Sequence, residues 1–378
     1  MVTYNYAPVA EGGAARQAQS LAESLAARGR RVGVVTARFS GSPAFERLRG
    51  VEVHRIWAIP RPGRFTATFI PSLARFLIMH GRSYDIWHAH QAFYNAAVAI
   101  RIALLLNRRS VVKDASSGLY GDIARLNRIW FGNWVRKSLR RANAIVSLNA
   151  EMTNELLAAG ISRNRIRRIP NGVDCSRFSP PLPSVRDETR AAMGLPSEEV
   201  VVLYAGRLAI DTGTPILLNA WQLVEERAIG RPWTLIVAGE ELSGDGYRAR
   251  GERDLKRARF VGQVLDVRTM LRAADVVVRP SLNEGMSNVV LEAMASGLPV
   301  VGTRTGGLQE QIADGVTGVL TPPGDPESLA SALIGLLEDP QERERLGSAG
   351  RDRAEKTYSL SSVVASYEQL YEDLLTDG

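Results

Sequence analysis

One stretch restricts the architecture of this chain more than any other: the run from Ala274 to Pro299. Ala274 to Val278 is apolar and has the length of a buried strand, and Pro280 cannot extend its ladder. Ser281 to Met286 reads as a polar loop holding Gly285. Ser287 or Asn288 can then cap a helix, which Gly297 and Pro299 close. A strand, a tight loop and a helix start in succession present unpaired backbone N–H groups at the positive end of a helix dipole, which suits a phosphate. Two acids flank that position. Glu284 lies in the loop, and Glu292 lies about one turn inside the helix on the face of Asn288. Either would repel a phosphate it touched. One reading makes them a solvated loop acid and an exposed helix acid; the other gives them hydroxyl groups of a sugar and of a ribose. The second reading, with an anion held between them, describes a nucleotide-sugar.

The same alternation recurs along the chain. Met1 to Tyr6 reads as the end of a first strand, clipped at its start, followed by Ala7-Pro8 and the loop Glu11-Gly12-Gly13. Glycines at a strand-to-helix turn allow a phosphate or hydroxyl close to the backbone, although this pair is not the GxGxxG of a dinucleotide-binding fold. Ala14 to Arg28 then forms a helix, with Ala18, Leu21, Ala22 and Leu25 on one face. Strands follow at Arg31 to Thr36 and Val51 to Ile56, and an amphipathic helix from about Pro71 to His80. Another strand ends in His88-Ala-His90. These histidines point to one side, but no Asp, Glu or Cys at suitable spacing completes a metal site, so one of them lining a substrate cleft is the better expectation. Helix Ala92 to Leu106 leads to strand Ser110 to Val112 and the polar run Lys113-Asp114-Ala-Ser116-Ser117-Gly118.

Beyond strand Ala144 to Leu148, helix Ala150 to Ala159 and Pro170-Asn171-Gly172, the prolines 180, 181, 183 and 196 mark an extended connection and a domain boundary. The second half repeats the pattern. Strands ending at Gly206-Arg207, Gly239 and Gly262 alternate with helices, and strand Pro299 to Gly302 precedes a Gly306-Gly307 turn and helix Gln309 to Ile312. The expectation is two Rossmann-like parallel-sheet α/β domains, 1–170 and 171–357, with ligands beyond the carboxyl ends of the strands and a cleft between facing units.

Charge separates the halves. Residues 1–170 carry 26 Lys+Arg against 9 Asp+Glu, whereas 171–378 carry 21 against 31. A basic first half points to an anionic acceptor or lipid surface; no nucleic-acid-binding signature accompanies it, so nucleic acid is not expected as a partner. Its most basic segment, 121–141, interleaves six cations with Ile129, Trp130, Phe131, Trp134 and Leu139. Such a helix can lie on an anionic membrane, or can pack on the core with a solvated basic face. The single cysteine, Cys175, fits a reducing compartment, and no apolar run of ~18 residues or signal peptide is present. The expected location is the cytoplasm, with peripheral contact to the inner membrane face through 121–141.

Ile169-Pro-Asn-Gly-Val-Asp174, Ala205-Gly-Arg-Leu208, the Glu284/Glu292 stretch, Gly306-Gly-Leu-Gln-Glu-Gln-Ile312 and Asp314-Gly-Val-Thr-Gly318 resemble family 4 glycosyltransferases over nearly the whole chain. The resemblance implies a retaining enzyme of the GT-B fold whose last helix, 358–378, crosses back onto the first domain. It implies a donor nucleotide-sugar on the second domain and a saccharide or lipid-linked acceptor on the first. Glu284 would bind the donor sugar, Glu292 the ribose and Arg207 the diphosphate. Gly285, Met286, Ser287 and Asn288 would approach sugar and phosphate, Gly239 and Val264 would border the nucleotide, and Gly12-Gly13 would close over the phosphate. No metal or other cofactor is implied. Thr212 stands where the family usually has a lysine, and Ser116 where many members have a histidine near the sugar, leaving Asp114, Ser116 or His90 to line that position. An epimerase of the same architecture and a nucleotide-sugar-binding protein without turnover are the alternatives.

Overall fold

The computed structural model describes residues 1–7, 12–39, 41–61, 63–118, 121–241 and 244–376; Pro8 and Glu11 of the first loop lie outside them. The chain divides into two compact units, Met1–Gly172 with Leu360–Gly378, and Val173–Ser359. No helix among the described residues is long and apolar enough to cross a membrane.

In the first unit the strands are β1 (Gly33–Ala37), β2 (Phe45–Leu48), β3 (Val51–Ile56), β4 (Ile86–His90), β5 (Arg109–Lys113), β6 (Ala144–Ser147) and β7 (Ile166–Arg168). They pair in the orders β1-β3-β2 and β4-β5-β6-β7, all parallel except β2 with β3. Residues at the start of the chain join the two groups. Val2 bridges Val35 on one side and Ala89 on the other, with Val2 N–H on the His88 carbonyl at 2.8 Å and His90 N–H on the Val2 carbonyl at 2.9 Å. Of the expected first strand, Met1 to Tyr6, only Val2 pairs, as isolated bridges to both groups.

Strands of parallel sheets are covered on both faces, and β1, β4, β5 and β6 are buried nearly throughout, whereas β3, next to the antiparallel edge strand β2, alternates between buried and half-buried residues. One face packs against helices Arg64–His80, Tyr94–Leu105 and Gly132–Leu139 through Leu73, Leu77, Ile100 and Leu139. The other packs against Gly13–Ala27 and the last helix, Leu360–Thr376, through Leu21, Leu25, Val363 and Tyr367. The final helix thus belongs to the first unit.

The second unit has β8 (Val200–Ala205), β9 (Trp233–Ala238), β10 (Ala258–Gly262), β11 (Val276–Arg279), β12 (Val300–Thr303) and β13 (Val319–Thr321), paired in the order β10-β9-β8-β11-β12-β13. The direction of progression across this sheet reverses between β8 and β11, and at such a switch point the loops leaving the two strands diverge and open a crevice. Trp221, Leu217, Leu333 and Leu336 build its core against Val202, Tyr204 and Val278.

Several sequence expectations need correction. Pro71 lies inside a helix that starts at Arg64. Segment 121–141 is not one helix: Asp122–Arg125 and Gly132–Leu139 are separated by a turn in which Phe131 adopts a left-handed φ of 59°. Gly132 permits that turn, since a Cβ there would lie 1.8 Å from the Leu126 carbonyl oxygen. The proline-rich connection contains a helix, Pro183–Ala192. Gly306 and Gly307 open a helix, Gly306–Gln311, rather than forming a turn before it.

Candidate active site

Backbone contact between glycines shapes the switch point of the second unit. Gly206 and Gly239 directly follow β8 and β9, and a Cβ at Gly239 would lie 1.7 Å from the Gly206 carbonyl oxygen. The loop after β8 then meets the loop after β11: Leu282 N–H donates to the Asp211 carbonyl at 3.0 Å, and a Cβ on Gly213 would lie 1.8 Å from the Pro280 carbonyl oxygen. Gly213, at φ 76°, needs glycine for its conformation as well as its closeness. On the far side, Gly307 N–H donates to the Glu284 carbonyl at 2.9 Å. The 280–287 loop is therefore held by loops from both neighbouring strands.

Within this frame Ser287 occupies the cap position of helix Asn288–Ala295, with no side-chain capping bond. Its backbone is held instead by Gln311, whose Oε1 accepts from Ser287 N–H and whose Nε2 donates to the Ser287 carbonyl, both at 2.8 Å. The Ser287 N–H, one of the amides expected to face a phosphate, is thus committed to Gln311. Gly285 and Met286 are buried, while Asn288 and Glu292 are half-buried on the helix. Glu284 is engaged by Arg279: Nε and Nη2 donate to Oε2 at 2.8 and 2.6 Å, and Ser281 Oγ reaches the same oxygen at 3.1 Å.

Arg207 is exposed at the mouth of the β8 loop and pairs with Asp211 at 3.0 Å. Thr212 points inward: it is 4% exposed, and its hydroxyl lies 2.9 Å from the carbonyls of both Arg207 and Ala209. That position serves the loop's shape and offers no cation outward. Gly239 directly follows β9, and half-buried Val264 follows β10, both at the carboxyl end of the sheet.

The first-unit candidates occupy two faces of their sheet. Gly12, at φ 86°, precedes the helix that starts at Gly13. His88 and His90 stack at 4.4 Å beneath the last helix, His88 Nδ1 lies 2.7 Å from the Tyr371 hydroxyl, and Lys113 Nζ sits 5.9 Å from the Tyr367 ring centre. His90 is 1% exposed, and neither of its ring nitrogens has a hydrogen-bond partner among the described residues. Burial, then the neighbouring Lys113 and His88 charges, holds both imidazoles well below the usual histidine range. Burial brings Lys113 down to about 7.

Asp114 is wholly buried, and burial followed by the Asp122 and Glu155 carboxylates raises it well above the usual aspartate range. Asp122 accepts from Ala92 N–H at 3.0 Å, Ala115 N–H at 3.3 Å and Ser116 Oγ at 2.9 Å. Of Asp114, Ser116 and His90, only Ser116 has partial exposure. Sequence reading missed Arg279, Gln311 and Asp122 as supports, because their roles exist only through folded contacts; for Gln311 the one signal was its place in the Gly306–Ile312 motif.

Residues 199–339 match the family described as Glycosyl transferases group 1, and residues 11–177 match Glycosyltransferase Family 4. The glycogen synthase of Mycobacterium tuberculosis is 30% identical, with 98% of this chain and 93% of that one covered. A D-inositol 3-phosphate glycosyltransferase of Xylanimonas cellulosilytica is 29% identical, covering 93% and 89% respectively. Sucrose-phosphate synthase from Thermosynechococcus elongatus has a similar structure, with a TM-score of 0.83 at 25% identity over 100% of this chain and 98% of its own. With two family matches along most of its length and relatives covered almost end to end, the chain belongs to the group 1, family 4 glycosyltransferases and has their GT-B fold of two Rossmann-like domains.

Proposed function

We propose that this glycosyltransferase is a retaining enzyme that moves a sugar from a nucleotide-sugar to a hydroxyl group of a saccharide or lipid-linked acceptor. The observation that carries the reading is the switch-point loop of the second unit, where Glu284 is held beside the start of a helix that bears Glu292 one turn on. Charge-assisted hydrogen bonds from sugar and ribose hydroxyls to these acids are worth roughly 1.5–3 kcal/mol each. Arg207, at the exposed edge of the β8 loop, suits the diphosphate, whose negative charge grows as it leaves; a fixed cation there stabilises the transition state. In this mechanism the acceptor hydroxyl attacks on the face the nucleotide leaves, and the departing phosphate takes its proton. No metal is required by those steps. Relatives named for glycogen and for D-inositol 3-phosphate support a hydroxyl-bearing acceptor.

The same reading places the protein in the cytoplasm, with 121–141 touching an anionic membrane. Incubation with uridine, guanosine, adenosine and thymidine diphosphate sugars, followed by mass spectrometry with and without acceptor mixtures, tests the reaction. Transfer only with acceptor is expected. Conversion of the donor alone would show an epimerase, and binding without turnover a carrier. Glu284→Ala should abolish transfer and Glu292→Ala should mainly weaken nucleotide binding; wild-type activity in both would overturn the assignment.

A further inference from the structure

We infer that Arg279 is the positioning residue for Glu284 in glycosyl transfer: it fixes the carboxylate by a single oxygen and cancels its charge beside the donor's diphosphate. The inference rests on the reading of Glu284 as the group that meets the donor sugar. Arg279 is the last residue of β11, so its backbone is set by the parallel ladder to Gly302 rather than by the loop. From there its guanidinium sends Nε and Nη2 to Glu284 Oε2 at 2.8 and 2.6 Å, and Ser281 Oγ adds a third donor at 3.1 Å. Oε1 lies outside this set of bonds. A carboxylate gripped by one oxygen cannot rotate freely, so the other oxygen keeps one direction in which to accept from a hydroxyl.

The seat of the guanidinium is built for it. Nη1 lies 3.5 Å from the Ala205 carbonyl oxygen, and a Cβ on Gly206 would stand 2.4 Å from the same nitrogen. Glycine directly after β8 therefore makes room for the arginine of β11 across the switch point. Both side chains are nearly shielded from water, Arg279 at 11% and Glu284 at 15% exposure. An arginine so enclosed needs a matched anion, and an acid so close to a diphosphate needs its charge cancelled. The pair satisfies both requirements, and Arg207, exposed and paired with Asp211, remains the cation assigned to the diphosphate.

A brace that only held the fold would change stability and leave the folded enzyme's preference between ligands intact. The test compares Arg279→Gln, Arg279→Lys and Glu284→Gln with wild type, titrating uridine, guanosine, adenosine and thymidine diphosphates and their hexose conjugates. For Arg279→Gln, affinity for the free diphosphate should fall by less than about tenfold, from the uncancelled Glu284 charge, while affinity for the conjugate and kcat fall by about a further 10–100-fold, the worth of one charge-assisted hydrogen bond. Arg279→Lys, which keeps a charge without the fork, should recover part of that loss. Wild-type kcat and KM in folded Arg279→Gln, or equal losses for free and conjugated diphosphate, would overturn the proposal. Should Arg279→Gln not fold, the lysine variant decides: an unchanged conjugate-to-free ratio there overturns it. A Glu284→Gln variant that transfers normally removes the underlying reading, whereas a dead Glu284→Gln beside a normal Arg279→Gln removes only this one.

Discussion

The side-chain amide of Gln311 bonds both the N–H and the carbonyl of Ser287, each at 2.8 Å, across 24 residues of sequence. A carboxamide is the only uncharged side-chain group that donates and accepts in this paired geometry, and both partners here are fully enclosed. Gln311→Ala leaves two buried backbone groups unsatisfied, at roughly 1–3 kcal/mol each. The expected result is a lowered midpoint in chemical denaturation together with weaker donor binding. Gln311→Glu, which cannot donate to the carbonyl when ionised, should lose stability too. Retained stability in both variants would show that the loop needs no such clamp.

Gly213 and Gly230 offer a matched pair of tests. Both have positive φ, 76° and 81°, but a Cβ at Gly213 would lie 1.8 Å from the Pro280 carbonyl oxygen, whereas nothing lies within 4 Å of one at Gly230. Alanine at Gly230 should cost only its backbone strain, about 1–2 kcal/mol, with transfer unchanged. Alanine at Gly213 must push the 207–213 and 280–287 loops apart. Its transfer rate should fall at least about tenfold, as for other small displacements of catalytic groups. Equal activity of the two variants under conditions where both are folded would contradict the packing described.

The part of this site that could be read from sequence was the part set locally. Pro280 ends β11 because it has no N–H, and Gly297 closes the following helix at φ 73°, so strand, loop and helix fall where their residues place them. Pro183 shows the opposite case: four prolines suggest an extended connection, yet proline is at home in the first turn of a helix, and Pro183–Ala192 forms there. β2, with the alternating half-exposed Phe-Glu-Arg-Leu of an edge strand, lacks the apolar run that marks buried strands. Arg279 is five residues from Glu284, but nothing in that spacing says that the chain turns one onto the other. That contact depends on Gly206, 73 residues away, leaving space for it.

Lys113 makes the stability of the chain depend on pH. Burial lowers its folded value from 10.5 to about 7, so between those values the unfolded chain holds a proton that the folded chain has lost. Stability is therefore full above about 10.5 and declines as pH falls toward 7. Lys113→Met should be more stable than wild type at pH 7, by on the order of 4 kcal/mol, and the gap should close by pH 10.5. Below about 6.5 the buried His88 and His90 add a further loss in the wild type, since their folded values are depressed as well. Thermal melts of both proteins from pH 6 to 10 check this; a gap that does not change with pH would mean that Lys113 is charged in the fold.

Trp130 and Phe131 stand out from the turn between two short helices, 85% and 73% exposed, while Val135 and Leu139 of the following helix are buried. The turn is anchored from behind, with Arg125 over the Phe93 ring at 4.8 Å and Arg101 over the Trp134 ring at 6.0 Å. The unit that carries it has 26 Lys+Arg against 13 Asp+Glu. Aromatic tips flanked by cations insert at the boundary of an anionic bilayer, gaining from apolar burial and from charge attraction together. Sedimentation with phosphatidylglycerol vesicles should recover the protein, phosphatidylcholine vesicles should not, and added salt should weaken the binding. The double variant Trp130→Ser, Phe131→Ser should bind at least about tenfold more weakly with an unchanged melt, because neither ring fills the core. Equal binding by the variant would assign the attraction to charge alone, and no binding by the wild type to either vesicle would leave the pair as a tip for some partner other than lipid.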